Sequence, residues 1–291
     1  MKHKTIYHWG FTVPALLLYS ALFLLPVLLN FYYSLTNWNA VRLMSESAKW
    51  VGFKNYIKIF STPELSAIIL RTINFGLVTT FFKNILGLFL ALLLNAKIKS
   101  RNSLRAVFFL PSILSPLIIG LIFGSFFMTN GFFNQLLAGI GLHRFVHPWL
   151  TTQSTALGTT MAVEIWRQTG FLMVIYLAGL QMIDAVYYEA ADIDGANPWQ
   201  KFTNVTLPRI LPAISVNVLL GLAQGLKAFV IIFVLTNGGP NSSTELISTI
   251  MFHEFGKKLY GMSAAYGVIM FVICAFFGLL ALKITNRNPD A

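Results

Sequence analysis

The chain has 291 residues, of which 56% are apolar and only 11% charged, a formal net charge of +11 and a mean hydropathy of +0.69. That balance excludes a water-facing globule and makes the bilayer the solvent for most of the chain. The positive charge is spread over tails and loops between apolar runs, which argues against a nucleic-acid partner and for basic residues meeting anionic lipid headgroups. Cys274 is the single cysteine and lies in the last apolar run, so neither a disulfide framework nor a thiolate metal site is available.

A helix needs roughly 20 mostly apolar residues to cross a hydrocarbon core. The sequence offers six such runs, near 11–33, 73–95, 106–128, 156–180, 210–236 and 263–284. This predicts an all-α membrane protein of about six transmembrane helices forming one domain over 1–291. The first run follows Lys2 and Lys4, as a secretory signal would. Its apolar core exceeds the roughly 7–15 residues of a signal, and no small-residue cleavage site follows, so it reads as a retained span.

Orientation follows from Lys97, Lys99, Arg101 and Arg105 in the short loop after the second run, which belongs on the cytoplasmic side. Six spans then put both termini in the cytoplasm, in agreement with Lys2, Lys4, Lys283 and Arg287 near the ends. The segment 35–72 runs against this, since it is outside yet holds Arg42, Lys49, Lys54, Lys58 and Arg71. Long segments weigh less in orientation. Each of the three outer segments is long enough for a short surface helix and too short for a domain of its own. No internal repeat is evident, which disfavours an inverted-repeat transporter.

Charges inside the spans carry more information, because each costs several kcal/mol at mid-bilayer (about 2.5–3.5) unless paired or facing water. They are Lys83, Glu164, Arg167 and Lys227. Glu164 and Arg167 are three apart in EIWRQTG, on one helix face and able to pair. Two readings stay open: a self-neutralised pair that locks helices, or, with Trp166 and Gln168, a polar patch lining a substrate cavity. In the fifth run Asn217, Gly221, Gln224 and Ala228 recur at helical spacing with Lys227 beside them, a face suited to close packing or to a pathway. Lys83 is structural or gating.

Catalytic chemistry is poorly represented. His143 and His147 in HRFVH would share a helix face but lack a third ligand and a nearby base, while His3, His8 and His253 are scattered. No GxxxxGK[ST] occurs, so if ATP drives this protein another subunit hydrolyses it.

Between the fourth and fifth runs stands EAADIDGANPWQKFTNVTLPRILP, residues 189–212, dense in charge. Its first residues read as a short helix with acids in the opening turns, Gly195 as a left-handed cap or turn, and Pro198 as the first turn of a second helix. The result is a polar helix-turn-helix at the inner membrane surface, suited to docking another protein.

Glu189, Ala190, Ala191, Gly195, Val205, Leu207 and Pro208 stand in the spacing of the signature of permease subunits of binding-protein-dependent ABC importers, with Val205 where the pattern has Ile. WVGFKNYIKIF, YLAGLQMIDAVYYEAADIDGA and TNGGP further resemble the carbohydrate type, related to the larger maltose-importer permease but in a shorter form. This resemblance implies a sugar or oligosaccharide cargo, with neutral oligosaccharides, uronate-containing glycans and glycerol phosphate all open. It implies as partners a second homologous permease, two ATPase subunits holding ATP and Mg, an extracytoplasmic binding protein and membrane lipid, with no cofactor or metal on this chain. It makes 185–208 the coupling segment, with Glu189, Ala190, Ala191, Asp194 and Gly195 against the ATPase. Glu164, Trp166, Arg167, Gln168, Asn217, Gln224 and Lys227 are the candidate pathway residues. Two other classes remain in competition: an autonomous secondary transporter with Glu164 as a proton site, and a membrane-embedded lipid-modifying enzyme, for which no clustered acid, base or metal set is evident.

Overall fold

The computed structural model describes residues 12–39, 48–96 and 99–285. Lys2, Lys4, Arg42, Lys97 and Arg287 of the orientation argument, His3 and His8, and the first residue of the expected 11–33 span lie outside the described residues. Among the described residues the regular structure is helical throughout, with one isolated antiparallel bridge, Thr36 to Trp50, and no strand. By contact the chain forms two compact units, residues 1–66 with 250–271, and residues 67–249 with 272–291.

In the first unit α1 spans Val13–Ser34 and contains one π-helical stretch, Ser20–Leu24. Ser34 is its one buried residue. A helix apolar all round and exposed all round within its own chain belongs in lipid or against another chain. α2, Lys54–Ser61, follows. The start of α13, Tyr260–Thr285, packs beside the end of α1. Asn30 Nδ2 donates to the Ala264 carbonyl at 3.4 Å, and the Trp38 ring sits between those of Tyr33 and Tyr260, at 4.1 and 4.9 Å.

In the second unit the long helix α3, Pro63–Asn95, is followed by α4 (Arg101–Ile113), α5 (Pro116–Phe126) and the outer helix α6 (Phe132–Gly139). Next come α7 (Ala156–Gln181), α8 (Ala185–Ile193), α9 (Pro198–Arg209) and α10 (Leu211–Leu226). Last are α11 (Val230–Leu235) and α12 (Ile247–Gly256), whose C-terminal part passes into the first unit. One core cluster joins Phe75, Ile119, Met161, Val163 and Ile232. Another joins Ala91, Leu94, Met173, Tyr176 and Ile210.

Among the described residues, α1, α3 and α13 are each long and apolar enough to cross a membrane. Three further pairs meet the length and composition requirement only when taken together across a bend: α4 with α5 at 95°, α7 with α8 at 67°, and α9 with α10 at 68°. Counting each pair as one span gives six.

The expected boundaries shift where local chemistry outweighs hydropathy. α3 starts ten residues before the expected 73, at Pro63, because Arg71 is accommodated: its guanidinium donates to the Ser242 carbonyl and, at 3.2 Å, to that of Glu245. The run 106–128 is broken rather than continuous. Pro116 disfavours helical backbone at Ser115 (ψ 130), and Leu114 before it is extended too (ψ 145), so the helix breaks before α5 begins. The run 210–236 is also broken, at 227–229, where Phe229 leaves helical geometry (φ −131, ψ −65). The Ala228 carbonyl freed there accepts from Ser248 Oγ. Ala228 therefore does not continue the α10 face on which the sequence placed it. His143 and His147 do not share an α-helical face either, since His143–Phe145 is a single 3-10 turn and Val146 is extended.

α4 and α7 cross at backbone contact through Gly170, where an added Cβ would lie 1.9 Å from the Phe108 carbonyl oxygen. Relief requires the two backbones to separate. Gly170→Ala should cost at least the 1–3 kcal/mol typical of overpacking. Gly158→Ala on the same helix, with nothing within 4 Å of its added Cβ, should stay within about 0.5 kcal/mol. Thermal unfolding of the two variants in parallel checks this; equal melting would show that the crossing is not close.

Candidate functional site

Three of the four internal charges converge. Glu164 and Arg167, one turn apart on α7, form a bidentate pair in which Arg167 Nε donates to Oε2 at 3.1 Å and Nη2 to Oε1 and Oε2 at 3.0 and 2.9 Å. Lys83 on α3 brings its Nζ to 4.0 Å from Glu164 Oε1, and the Lys83 and Glu164 side chains are 0% and 2% exposed. Gln168, with its amide oxygen turned to the guanidinium, accepts from Arg167 Nη1 and Nη2 at 3.0 and 2.8 Å. Two cations and one anion thus share a largely buried site, at whose edge Arg167 keeps 11% exposure. Sequence reasoning missed the Lys83–Glu164 contact, although the cost of a lysine at membrane depth was itself the signal that an acid must stand near it.

Trp166 does not join this patch. Residues 164, 167 and 168 share one side of α7, and position 166 points elsewhere. Its ring stands edge-on to Phe123 at 5.1 Å and lines an apolar cavity of about 810 Å³ among α3, α4 and α7, with Phe82, Phe108, Met161 and Ile165.

The α10 candidates separate in the same way. Asn217 is wholly buried and its Nδ2 donates to the Leu172 carbonyl on α7 at 3.1 Å. Nearby Gly221 and Gly225 lie against Thr80 and Thr79 of α3, so this face serves close packing. Gln224 is half-buried and its Oε1 lacks a hydrogen-bond partner. Lys227 is exposed at the break between α10 and α11.

The stretch at 185–208 is a capped helix-turn-helix. Asp184 caps α8, its Oδ1 accepting from the Val186 N–H at 3.1 Å. The helix ends in a Schellman motif: Gly195 takes φ +73, its N–H reaches the Asp192 carbonyl at 3.1 Å, and that of Ala196 reaches Ala191 at 2.9 Å. Asn197 and Gln200 then form a reciprocal capping box at 2.9 and 2.8 Å, with Pro198 in the first turn of α9. Three ties close the pair: the Lys201–Asp192 ion pair, a 2.9 Å hydrogen bond between Tyr188 and Thr206 hydroxyls, and the Arg209 guanidinium over the Tyr187 ring. The acids are placed differently from expectation. α8 begins at Ala185, so its first turn holds no acid, Glu189 is mid-helix, and Asp192 sits in the last turn, where Lys201 offsets its unfavourable position against the helix dipole.

A family model described as the binding-protein-dependent transport system inner membrane component matches residues 83–287. The chain belongs to this family. The permease is 32% identical over 284 residues to the probable starch degradation products transport system permease protein of Thermoanaerobacterium thermosulfurigenes, covering 97% of this chain and 95% of that protein. It is 33% identical over 281 residues to the trehalose/maltose transport system permease protein of Thermococcus litoralis, covering 96% and 93%. It is 34% identical over 284 residues to the multiple sugar-binding transport system permease protein of Streptococcus mutans, covering 96% and 95%. Its fold is that of a chain in a bacterial alginate ABC transporter solved with an alginate pentasaccharide-bound periplasmic protein, at a TM-score of 0.81 and 23% identity over 96% of this chain and 93% of that one. The permease is thus a multi-pass membrane subunit of a binding-protein-dependent transport system. Among its described residues no group of three or more His, Cys, Asp or Glu could hold a metal ion.

Proposed function

We propose that the permease imports a sugar or oligosaccharide, delivered by an extracytoplasmic binding protein, by alternating access with a second homologous permease, driven by two ATPase subunits that hold ATP and Mg. The relatives support the cargo class, since those of Thermoanaerobacterium, Thermococcus and Streptococcus are each named for carbohydrate transport. The helix-turn-helix at 185–208 supports the drive and is the observation that carries this reading: a rigid, doubly capped element carrying Glu189, Ala190, Ala191, Asp194 and Gly195, with Ile193 88% and Trp199 71% exposed, is built to meet another protein. Both termini are cytoplasmic, a placement supported by Lys99, Arg101 and Arg105 between α3 and α4.

The cargo passes Gln224 and Lys227, at the interruption of the α10–α11 span. Interrupted helices bring polar groups to membrane depth, and Gln224 has an amide oxygen without a partner. Glu164, Arg167 and Gln168 border the pathway from α7, while Asn217 and Trp166 act through packing.

The test is reconstitution in vesicles with the partner subunits and binding protein, using labelled neutral and uronate-containing oligosaccharides. Saturable carbohydrate uptake that requires ATP on the ATPase side and the binding protein on the other is expected. Uptake by the permease alone without ATP would instead establish a secondary transporter. Gln224→Leu should lower uptake about five- to tenfold, the effect of one lost hydrogen bond of about 1–1.5 kcal/mol, with assembly unchanged. Wild-type uptake by Gln224→Leu and by Lys227→Met would move the pathway elsewhere.

A further inference from the structure

α2 presents three distinct faces. One is tied to the protein: Ile59 is wholly buried, Asn55 Nδ2 donates to the Ser34 and Thr36 carbonyls at 2.8 and 2.9 Å, and the Tyr56 hydroxyl donates to Ser34 Oγ at 2.7 Å. The second is an apolar stripe of Phe53, Ile57 and Phe60, continued by Trp50, each 60–70% exposed. The third carries Lys54 and Lys58, both exposed and one turn apart beside the stripe. Four large apolar side chains in a row are not left facing water without a partner.

The position of α2 identifies the partner. Asn55 and Tyr56 fasten it to the last turn of α1, and the Val51 N–H reaches the Leu35 carbonyl at 2.9 Å. One residue beyond α2, at Pro63, the chain enters α3. Since α1 is long and apolar enough to cross the hydrocarbon and its apolar run ends beside Ser34, an element fastened to its last turn lies at headgroup level. The Tyr32 and Trp50 rings, 5.9 Å apart, stand at this same level, as aromatic side chains do at membrane surfaces. A helix with an apolar stripe flanked by lysines matches the acyl boundary and the phosphates above it.

We propose that α2 is an interfacial helix that docks on anionic phospholipid headgroups at the surface where α1 ends, with Phe53, Ile57 and Phe60 in the upper acyl region and Lys54 and Lys58 on the phosphates. This accounts for Lys54 and Lys58, two of the basic residues in the 35–72 segment that run against the orientation rule. They are lipid ligands, and they do not set topology.

The experiment uses the full-length permease, purified with its partner subunits, in nanodiscs of phosphatidylcholine alone or in an equal mixture with phosphatidylglycerol. An environment-sensitive dye on Ile57→Cys, in a Cys274→Ala background, should be strongly quenched by lipid carrying a spin label near the headgroup. In the chain with Cys274 intact, retention of phosphatidylglycerol over phosphatidylcholine by native mass spectrometry should fall roughly fivefold for each of Lys54→Gln and Lys58→Gln. The corresponding arginine variants should retain it. A dye that lipid does not quench but that added binding protein shields would overturn the proposal and assign the stripe to that protein. Quenching in the isolated permease that disappears in the assembled complex would assign it to the second permease. Unaltered phosphatidylglycerol retention in both glutamine variants would overturn the headgroup contact.

Discussion

Glu164→Gln should destabilise the permease by about 3–5 kcal/mol, the cost of breaking a buried ion pair by removing one partner. Glutamine keeps the shape of the side chain but not its charge, and leaves Lys83 and Arg167 together in a site where the Lys83 and Glu164 side chains are 0% and 2% exposed. Arg167 would lose a bidentate acceptor, and Lys83 would lose the one anionic neighbour it has among the described residues, at 4.0 Å. Lys83→Met should behave differently. It removes an ammonium that has no hydrogen-bond partner and leaves a neutral Glu164–Arg167 pair, so the change should lie within about 1 kcal/mol and can be stabilising. The double variant should recover part of the Glu164→Gln loss, with a coupling energy of about 1–3 kcal/mol. Thermal unfolding of the purified complex measures all three. Melting of Glu164→Gln at the wild-type temperature, or a larger loss in Lys83→Met, would overturn this account of the cluster. ATP-driven uptake by a folded double variant would also separate a structural Glu164 from a proton carrier.

How much was legible in the sequence depended on how local the determining physics is. The segment 185–208 was legible in part: Gly195 and Pro198 mark its turn and second helix through contacts of a few residues, whereas the caps at Asp184 and Asn197 and the position of the acids became evident only in the structure. Helix existence was legible, since α1, α3, α7 and α13 lie on continuous apolar runs. Continuity was not. Hydropathy is indifferent to the extended backbone that Pro116 imposes on Ser115, and the break at 227–229 is stabilised by Ser248, a residue remote in sequence. The candidate site was half legible for the same reason. The Glu164–Arg167 pair follows from a spacing of three, whereas its meeting with Lys83 and the burial of Asn217 against Leu172 depend on how α3, α7 and α10 pack. Trp166 illustrates the limit of adjacency: one residue from Arg167 in sequence, it faces the apolar cavity.

Gly195→Pro should abolish uptake and leave ATP hydrolysis unresponsive to the binding protein, while the rest of the permease still assembles. Gly195 holds φ +73 and donates its N–H to the Asp192 carbonyl. Proline fixes φ near −65° and has no N–H, so the Schellman turn cannot form, at a local cost of about 3 kcal/mol or more. α9 would then leave α8 in another direction, and the Lys201–Asp192 and Arg209–Tyr187 ties would be lost with it. Gly195→Ala supplies the graded control. Nothing lies within 4 Å of its added Cβ, so it meets only the left-handed backbone penalty of about 1–2 kcal/mol and should keep partial coupling. Trp199→Ala and Glu189→Lys leave the turn intact and change only its exposed surface. A buried aromatic anchor contributes about 2 kcal/mol or more and a broken charged contact about 2–5 kcal/mol, so either should weaken retention of the ATPase in the complex. Hydrolysis and uptake measured side by side in reconstituted vesicles distinguish the two effects: uncoupling with the ATPase still bound for Gly195→Pro, and loss of the ATPase itself for the surface variants. Wild-type stimulation and uptake in Gly195→Pro would mean that the turn transmits nothing, and the coupling role of 185–208 would fall with it.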